Sequence, residues 1–280
     1  MNLALFFEGT GQGVFGKKTN VSLVYEDCVE DDEQHLHLET GPGARVGAWI
    51  VGRTAGVGWR NIFGRARRWF EARQAETRKG DAPPMVFLFG FSRGALLARH
   101  FAAWLDKIGV EVAYLGVWDT VDATPGLEVS EECPGNVRFA RHAVAEHEAR
   151  RFFPYVPLKG EQVEEELFPG AHSDVGGLYA DNHELADAAR AWVAAPAAER
   201  GLRFKAGTRF DVSYDPATAV RHDSQRLVSN LFGLLRPKLR IFPATLKRHF
   251  GNYGIICGDF QKEGNTKKAI ENDRHQEAER

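Results

Sequence analysis

Serine, histidine and aspartate are the side chains here that could combine in nucleophilic chemistry, and one serine is set apart by its context. Gly90-Phe91-Ser92-Arg93-Gly94 divides the stretch VFLFGFSRGALLARHF, Val86 to Phe101. The residues before it are almost wholly apolar, as in a buried strand, and those after it repeat at helical spacing. A Gly-x-Ser-x-Gly turn crowds strand, turn and helix together, so both flanking residues must be small. The serine then takes a strained conformation with its hydroxyl above the sheet. A helix N-terminus also places backbone N–H groups beside any developing oxyanion. The Arg93 amide is one expected donor, and the glycine turn after the first strand, at Gly9 or Thr10, supplies the second. In a chain with 29 glycines the bare pattern also arises by chance. Its strand-before, helix-after setting favours a nucleophile over a turn serine.

A serine hydroxyl needs a histidine to take its proton and a carboxylate to fix that histidine's tautomer. In α/β-hydrolases the chain order is Ser, then Asp or Glu, then His. Asp119 ends YLGVWD, the next strand after Ser92, and Asp174 lies in FPGAHSDVGG among Gly170, Gly176 and Gly177. Asp174 is the expected acid, with Asp119 its rival; a loop aspartate bonded to its own backbone is the bland alternative. Of ten histidines, His35 and His37 precede the nucleophile in an acidic region, and His100, His142 and His147 fall on expected helices. His249 and His275 lie in basic and polar end regions. His172 stands two residues before Asp174, so the two do not easily serve one triad from the same turn. His222, in TAVRHDSQ after an expected last strand RFDVSYD, has the required chain order and is the expected base, with His172 the alternative.

The elements that would position these groups alternate. Leu3 to Phe7, Met85 to Phe89, Val112 to Val117 and Val163 to Phe168 read as strands. Asn61 to Thr77, Ala95 to Ile108, Asn136 to Phe152 and roughly Glu184 to Ala194 read as helices. Gly11 to Gly58 reads as a helix followed by long loops. Strands apolar on both faces, interleaved with helices, predict a mostly parallel sheet covered on both sides. The expectation is one α/β-hydrolase-like domain over residues 1–260 and a polar tail over 261–280, with no internal repeat and no dividing linker.

Composition bounds the rest. Apolar residues make up 43% and charged residues 26% of 280, ordinary for a globular protein with a large core. A formal net charge of −2 demands neither nucleic acid nor an anionic surface, and no single-faced basic stripe marks a nucleic-acid partner. No run approaches the roughly 18 apolar residues needed to cross a bilayer. The N-terminus lacks the basic start of a secretory signal. Three widely spaced cysteines, Cys28, Cys133 and Cys257, fit a reduced compartment better than a disulfide framework. A cytoplasmic protein is the expectation, with export that uses no cleavable signal left open.

Seven ordered segments, FFEGTG, TNV (Thr19 to Val21), GFSRGA, LGVWDTV, ARHAVAEHEAR, FPGAHSDVGG and HDS, resemble the DUF2235 α/β-hydrolase family, which includes the Tle1-group phospholipase effectors of type VI secretion. The resemblance runs from about Leu3 to Ser224. It implies a triad at Ser92, Asp174 and His222, no metal or cofactor, and hydrolysis of phospholipid esters by secreted members. For partners it implies a lipid or ester substrate, a membrane surface, a secretion-spike carrier and an immunity protein. One departure is Glu8, where the family usually has Asp; another is the absence of the long insertions of larger effectors. Arg60 to Arg73 and Pro237 to Phe250 pair basic with aromatic residues, as interfacial segments do, although an amphipathic helix and a strand or loop packed on the sheet, with solvated arginines, account for them better. Two other readings remain: an intracellular carboxylesterase for soluble esters, and a binding module that keeps the hydrolase fold without its chemistry.

Overall fold

The computed structural model describes residues 1–9, 18–41, 58–77, 82–122, 124, 126–150, 153–223 and 240–249. Thr10, Ser224, Cys257, His275 and the tail at 261–280 lie outside the described residues. In chain order the elements are β1 (Asn2–Phe7), α1 (Asn20–Asp27), β2 (Gln34–Glu39), α2 (Trp59–Ala75), β3 (Met85–Phe91) and α3 (Arg93–Lys107). Then come β4 (Val112–Trp118), β5 (Ala140–Ala145), β6 (Val163–Phe168), α4 (His172–Gly176), α5 (Glu184–Glu199) and β7 (Lys247–Arg248).

Among the described residues, seven strands form one sheet in the order β2-β1-β3-β4-β5-β6-β7, and their pairings are all parallel. Alternation along β1 and β3 shows why these segments must be strands. Leu3, Leu5, Phe7, Val86 and Leu88 face α2 and α3, whereas Ala4, Phe6, Phe87, Phe89 and Phe91 face α1 and α5. Both faces are thus dry, as a parallel sheet with crossover helices requires. Each of the buried phenylalanines contributes on the order of 2 kcal/mol through burial alone. Parallel strands also bring their carboxyl ends to one edge, where ligands of open α/β sheets bind. The ends of β1, β3, β4, β5 and β6 there are Phe7, Phe91, Trp118, Ala145 and Phe168.

Three expectations need correction. The described part of the stretch Asn136 to Phe152 is not a helix: Ala140–Ala145 is β5, slotted between β4 and β6. The helix preference of its alanines yields to a narrow interior position where small side chains fit. His142 therefore sits on a strand and His147 in the turn beyond it. The expected loops after α1 include β2, whose polar sequence QHLHLE hides a strand paired over its whole length with β1. Conversely, Arg209 to Asp215 is irregular. The place beside β6 belongs to Lys247–Arg248, and Phe210 instead packs edge-on to Phe204.

Candidate active site

Ser92 follows β3 and caps α3 with φ 59 and ψ −126, a backbone region that a serine occupies only when its surroundings enforce it. Serine at a helix N-cap usually bonds the first turn; here the side chain makes no capping bond. Backbone bonds fix the elbow instead: Ser92 N–H donates to the Trp118 carbonyl at 3.0 Å, and Ser92 O accepts from Ala95 and Val121. Gly94 explains the second glycine. A Cβ there would stand 2.0 Å from the Phe7 carbonyl oxygen and 2.6 Å from that of Glu8, so helix and strand touch backbone to backbone. Gly9, at the end of β1, is close enough that a Cβ on it would lie 3.2 Å from the Ser92 Cβ. The glycine turn after β1 and the elbow are therefore neighbours. Thr10 falls outside the described residues.

Glu8, beside that turn, is buried with 3% exposure. Thr19, the N-cap of α1, offers its hydroxyl to both carboxyl oxygens at 2.9 and 2.7 Å, and the Gly9 and Ser22 amides help. Burial outweighs these donors and pushes the Glu8 pKa up to about 7. Next in sequence, Asn20 donates to the carbonyls of Val175 and Ala186 at 2.8 Å. The Thr19-Asn20 pair thereby ties the first strand's turn to α4 and α5.

Two carboxylate–histidine pairs stand at the carboxyl edge. In the first, His222 Nδ1 lies 2.5 Å from Asp174 Oδ1, and the His222 amide donates to Asp174 Oδ2 at 3.0 Å. Asp174 also accepts the Ala171 amide at 2.8 Å. Gly170, at φ +100, makes room for it, since a Cβ would fall 2.4 Å from the Asp174 Cβ. The structure thus joins Asp174 and His222. It gives His222 a further partner, however: Nε2 lies 3.0 Å from Asp181, and Tyr179 stacks on the ring at 3.6 Å. Burial disfavours charge on His222, but its hydrogen bonds to the Asp174 and Asp181 carboxylates outweigh it and raise its pKa. Among the described residues, no hydrogen bond joins Ser92 to His222.

The second pair is Asp119 and His172, with Nδ1 2.6 Å from Oδ2. Asp119 follows β4, the strand beside that of Ser92, and has φ 36. His172 opens α4 and is buried, its ring stacked at 4.4 Å on Phe91, the residue before Ser92. The His172 amide donates to Glu148, which is paired with Arg150. Burial pushes the Asp119 pKa up, but Arg240 and His172 overcome it and hold the carboxyl below the ordinary range. Burial pushes the His172 pKa down and prevails over Asp119. An ionised Asp119 requires the hydrogen on Nδ1, leaving the Nε2 lone pair available as a base.

Other histidines have structural partners. His142 Nδ1 pairs with Glu165 at 2.6 Å, and its Nε2 accepts the Thr120 amide at 3.1 Å. His37 stacks on Trp69 and His249 on Phe168, while His100 packs at a tilt against Phe63. His147 accepts the Gly170 amide at 3.0 Å. Asp181, Tyr179, Glu148 and Arg240 escaped sequence reasoning. Glu148 sits within ARHAVAEHEAR and could have been found there. The other three lie where only three-dimensional contact reveals them. Among the described residues, no group of three or more His, Cys, Asp or Glu could hold a metal ion. No described helix is long and apolar enough to cross a membrane.

A family model described as the catalytic domain of Tle1-like type VI secretion phospholipase effectors matches residues 1–112 and 109–196. No curated protein matches. An uncharacterized protein from Pseudomonas aeruginosa is similar at 18% identity and a TM-score of 0.56, over 73% of this chain and 47% of that one. The Tle1 effector bound to the VgrG spike of the type 6 secretion system is similar at 21% and 0.50, over 64% and 51%. This chain spans about half the length of each. At such identities the likeness speaks for a shared hydrolase-like fold. With its parallel sheet, its serine elbow and a model match over most of its length, the chain belongs to the family of Tle1-like phospholipase effector catalytic domains.

Proposed function

We propose that this protein is a serine hydrolase of lipid carboxylic esters, a phospholipase A-type effector domain in which His172 and Asp119 serve Ser92. The observation that carries the reading is the strained Ser92 elbow beside a buried, hydrogen-bonded Asp119–His172 pair, whose imidazole stacks on Phe91. Ser92 Oγ attacks the ester carbonyl while His172 Nε2 takes its proton. The imidazolium, steadied by Asp119, returns that proton to the leaving alcohol. The Arg93 amide and an amide of the turn at Gly9 and Thr10 hold the oxyanion. Water, deprotonated by the same histidine, then attacks the acyl-enzyme, releasing the fatty acid and restoring Ser92.

The sequence pointed first to Asp174 and His222, and their contact keeps that pair as the second reading. The arrangement favours His172 as the base. With Asp174 at Nδ1 and Asp181 at Nε2, both His222 nitrogens already face carboxylates, so neither is turned to a serine hydroxyl, and those contacts raise its pKa. Membership of a type VI secretion effector family, and likeness to a Tle1 effector bound to a VgrG spike, support delivery into a target cell on such a spike.

The test uses vesicles of phosphatidylethanolamine and phosphatidylglycerol, with mass spectrometry of released fatty acid and lysolipid. Ser92→Ala and His172→Gln should each cut turnover by roughly three or more orders of magnitude with the fold retained, and His222→Gln far less. Full activity in Ser92→Ala would end the serine-hydrolase reading. The opposite ranking of the histidine variants would return the base to His222. Hydrolysis of short soluble esters but not vesicle lipid would point to a carboxylesterase. Failure of a fluorophosphonate to label Ser92 would point to a binding module.

A further inference from the structure

Arg240 lies beyond residue 196, where the family match ends, yet its side chain, 2% exposed, is among the most buried charges described. Its guanidinium makes four hydrogen bonds. Nη1 donates to Asp119 Oδ1 at 2.6 Å and Nη2 to Asp119 Oδ2 at 3.1 Å. Nη1 also reaches the Ala145 carbonyl at 3.0 Å, and Nε the Phe153 carbonyl at 2.9 Å. Asp119 is contacted from 121 positions away, and its Oδ2 is shared between Arg240 and His172.

A fork–fork contact fixes the plane of a carboxylate as well as its distance. The Ala145 amide, donating to Oδ1 at 2.9 Å, adds a third restraint. With Oδ1 held by Ala145 and Arg240, and Oδ2 by Arg240 and His172, the carboxylate cannot turn away from the imidazole. A buried aspartate alone would also tend to take up a proton, and so lose the power to fix the tautomer. We propose that Arg240 is a positioning residue for catalysis, which clamps Asp119 in the ionised, oriented form that makes His172 a competent base. This rests on the reading of Asp119 and His172 as the partners of Ser92.

The charges that face His172 are Asp119 at the end of β4, Arg240, and Glu148 with its partner Arg150 in the turn after β5. Removing the Arg240 cation leaves a net negative surround. The protonated imidazole is then favoured, so activity should require a higher pH. A residue that merely stapled the chain to Ala145 and Phe153 would not move that limb.

The experiment measures kcat and KM for a short-chain soluble ester across pH in the full chain, normalised to folded protein by circular dichroism. Arg240→Gln should lose about 10- to 100-fold in kcat, the scale of a small misplacement in an active site. Its KM should change little, and its acid limb should rise by about one pH unit. Arg240→Lys, which keeps the charge without the fork, should hold the limb and recover only part of kcat. A wild-type limb and kcat in folded Arg240→Gln would overturn the proposal. Should Arg240→Gln fail to fold, Arg240→Lys decides, because unchanged kcat per folded molecule would overturn it too. Ser92→Ala and His172→Gln run alongside. If both are silent while Arg240→Gln is indifferent, only the Arg240 role falls. If His172→Gln stays active, the underlying pair is wrong.

Discussion

Gly94→Ala probes the contact between the elbow and the first strand. The added Cβ would stand 2.0 Å from the Phe7 carbonyl oxygen, whereas real Cβ contacts essentially never fall under 3.0 Å. Helix and strand must therefore part by about 1 Å. Neither yields easily: β1 is paired along its whole length to β2 on one side and β3 on the other, and Gly94 lies in the first turn of α3. The displacement falls on the end of β1, which carries Glu8 and Gly9 beside Ser92. Overpacking of this kind costs about 1–3 kcal/mol, which lowers the melting temperature by roughly 3–10 °C for a domain of this size. A shift of about 1 Å in a catalytic donor costs on the order of 100-fold in turnover. Steady-state ester hydrolysis, the rate of fluorophosphonate labelling and a thermal melt read all three effects, and both rates should fall together. A variant that melts and turns over like the parent would refute the backbone contact on which the elbow's geometry is argued.

Two further outcomes follow from buried titrating groups. The Glu8 pKa rises from 4.5 to about 7, so the folded state binds the proton more tightly than the unfolded chain. That contribution is complete below pH 4.5 and lost as pH climbs through about 7, worth up to about 3 kcal/mol. Melting temperature should therefore drop more between pH 5 and 8 in the parent than in Glu8→Gln, and equal slopes would refute the burial argument. Because the His172 pKa is lowered from 6.5, kcat/KM should rise through a pKa below 6.5 and be flat by pH 7. A limb above 6.5 would instead match the raised His222.

Much of this arrangement can be read from residue order. Continuous apolar runs located β1, β3 and β4, because the sheet's centre is buried on both faces. The glycines around Ser92 announced the elbow because only small residues survive there. Asp119, Asp174, His172 and His222 all stand out as candidates, and the structure joins them two by two. Their pairing could not be read, since it depends on which loop folds back over which strand end. Linear spacing counts against His172 as a partner of Asp174, and it is silent on Asp119, 53 residues earlier. β5 was hidden by alanines that prefer helices, and β2 by polar residues at a sheet margin. Arg240 sits in a basic-aromatic stretch that reads as a surface, and only its contacts turn it inward.

Among the described residues, the sheet's two margins bear on how one molecule meets another. On one side β2 carries glutamine, histidines and Glu39, with α2 bonding across it through Arg65 and stacking Trp69 on His37. On the other, β7 is two residues long and both are cationic. Short or charged margins are poor templates for a strand from another molecule. Margins of this kind shield interior strands as apolar as β3 and β4 from pairing with a strand of another molecule.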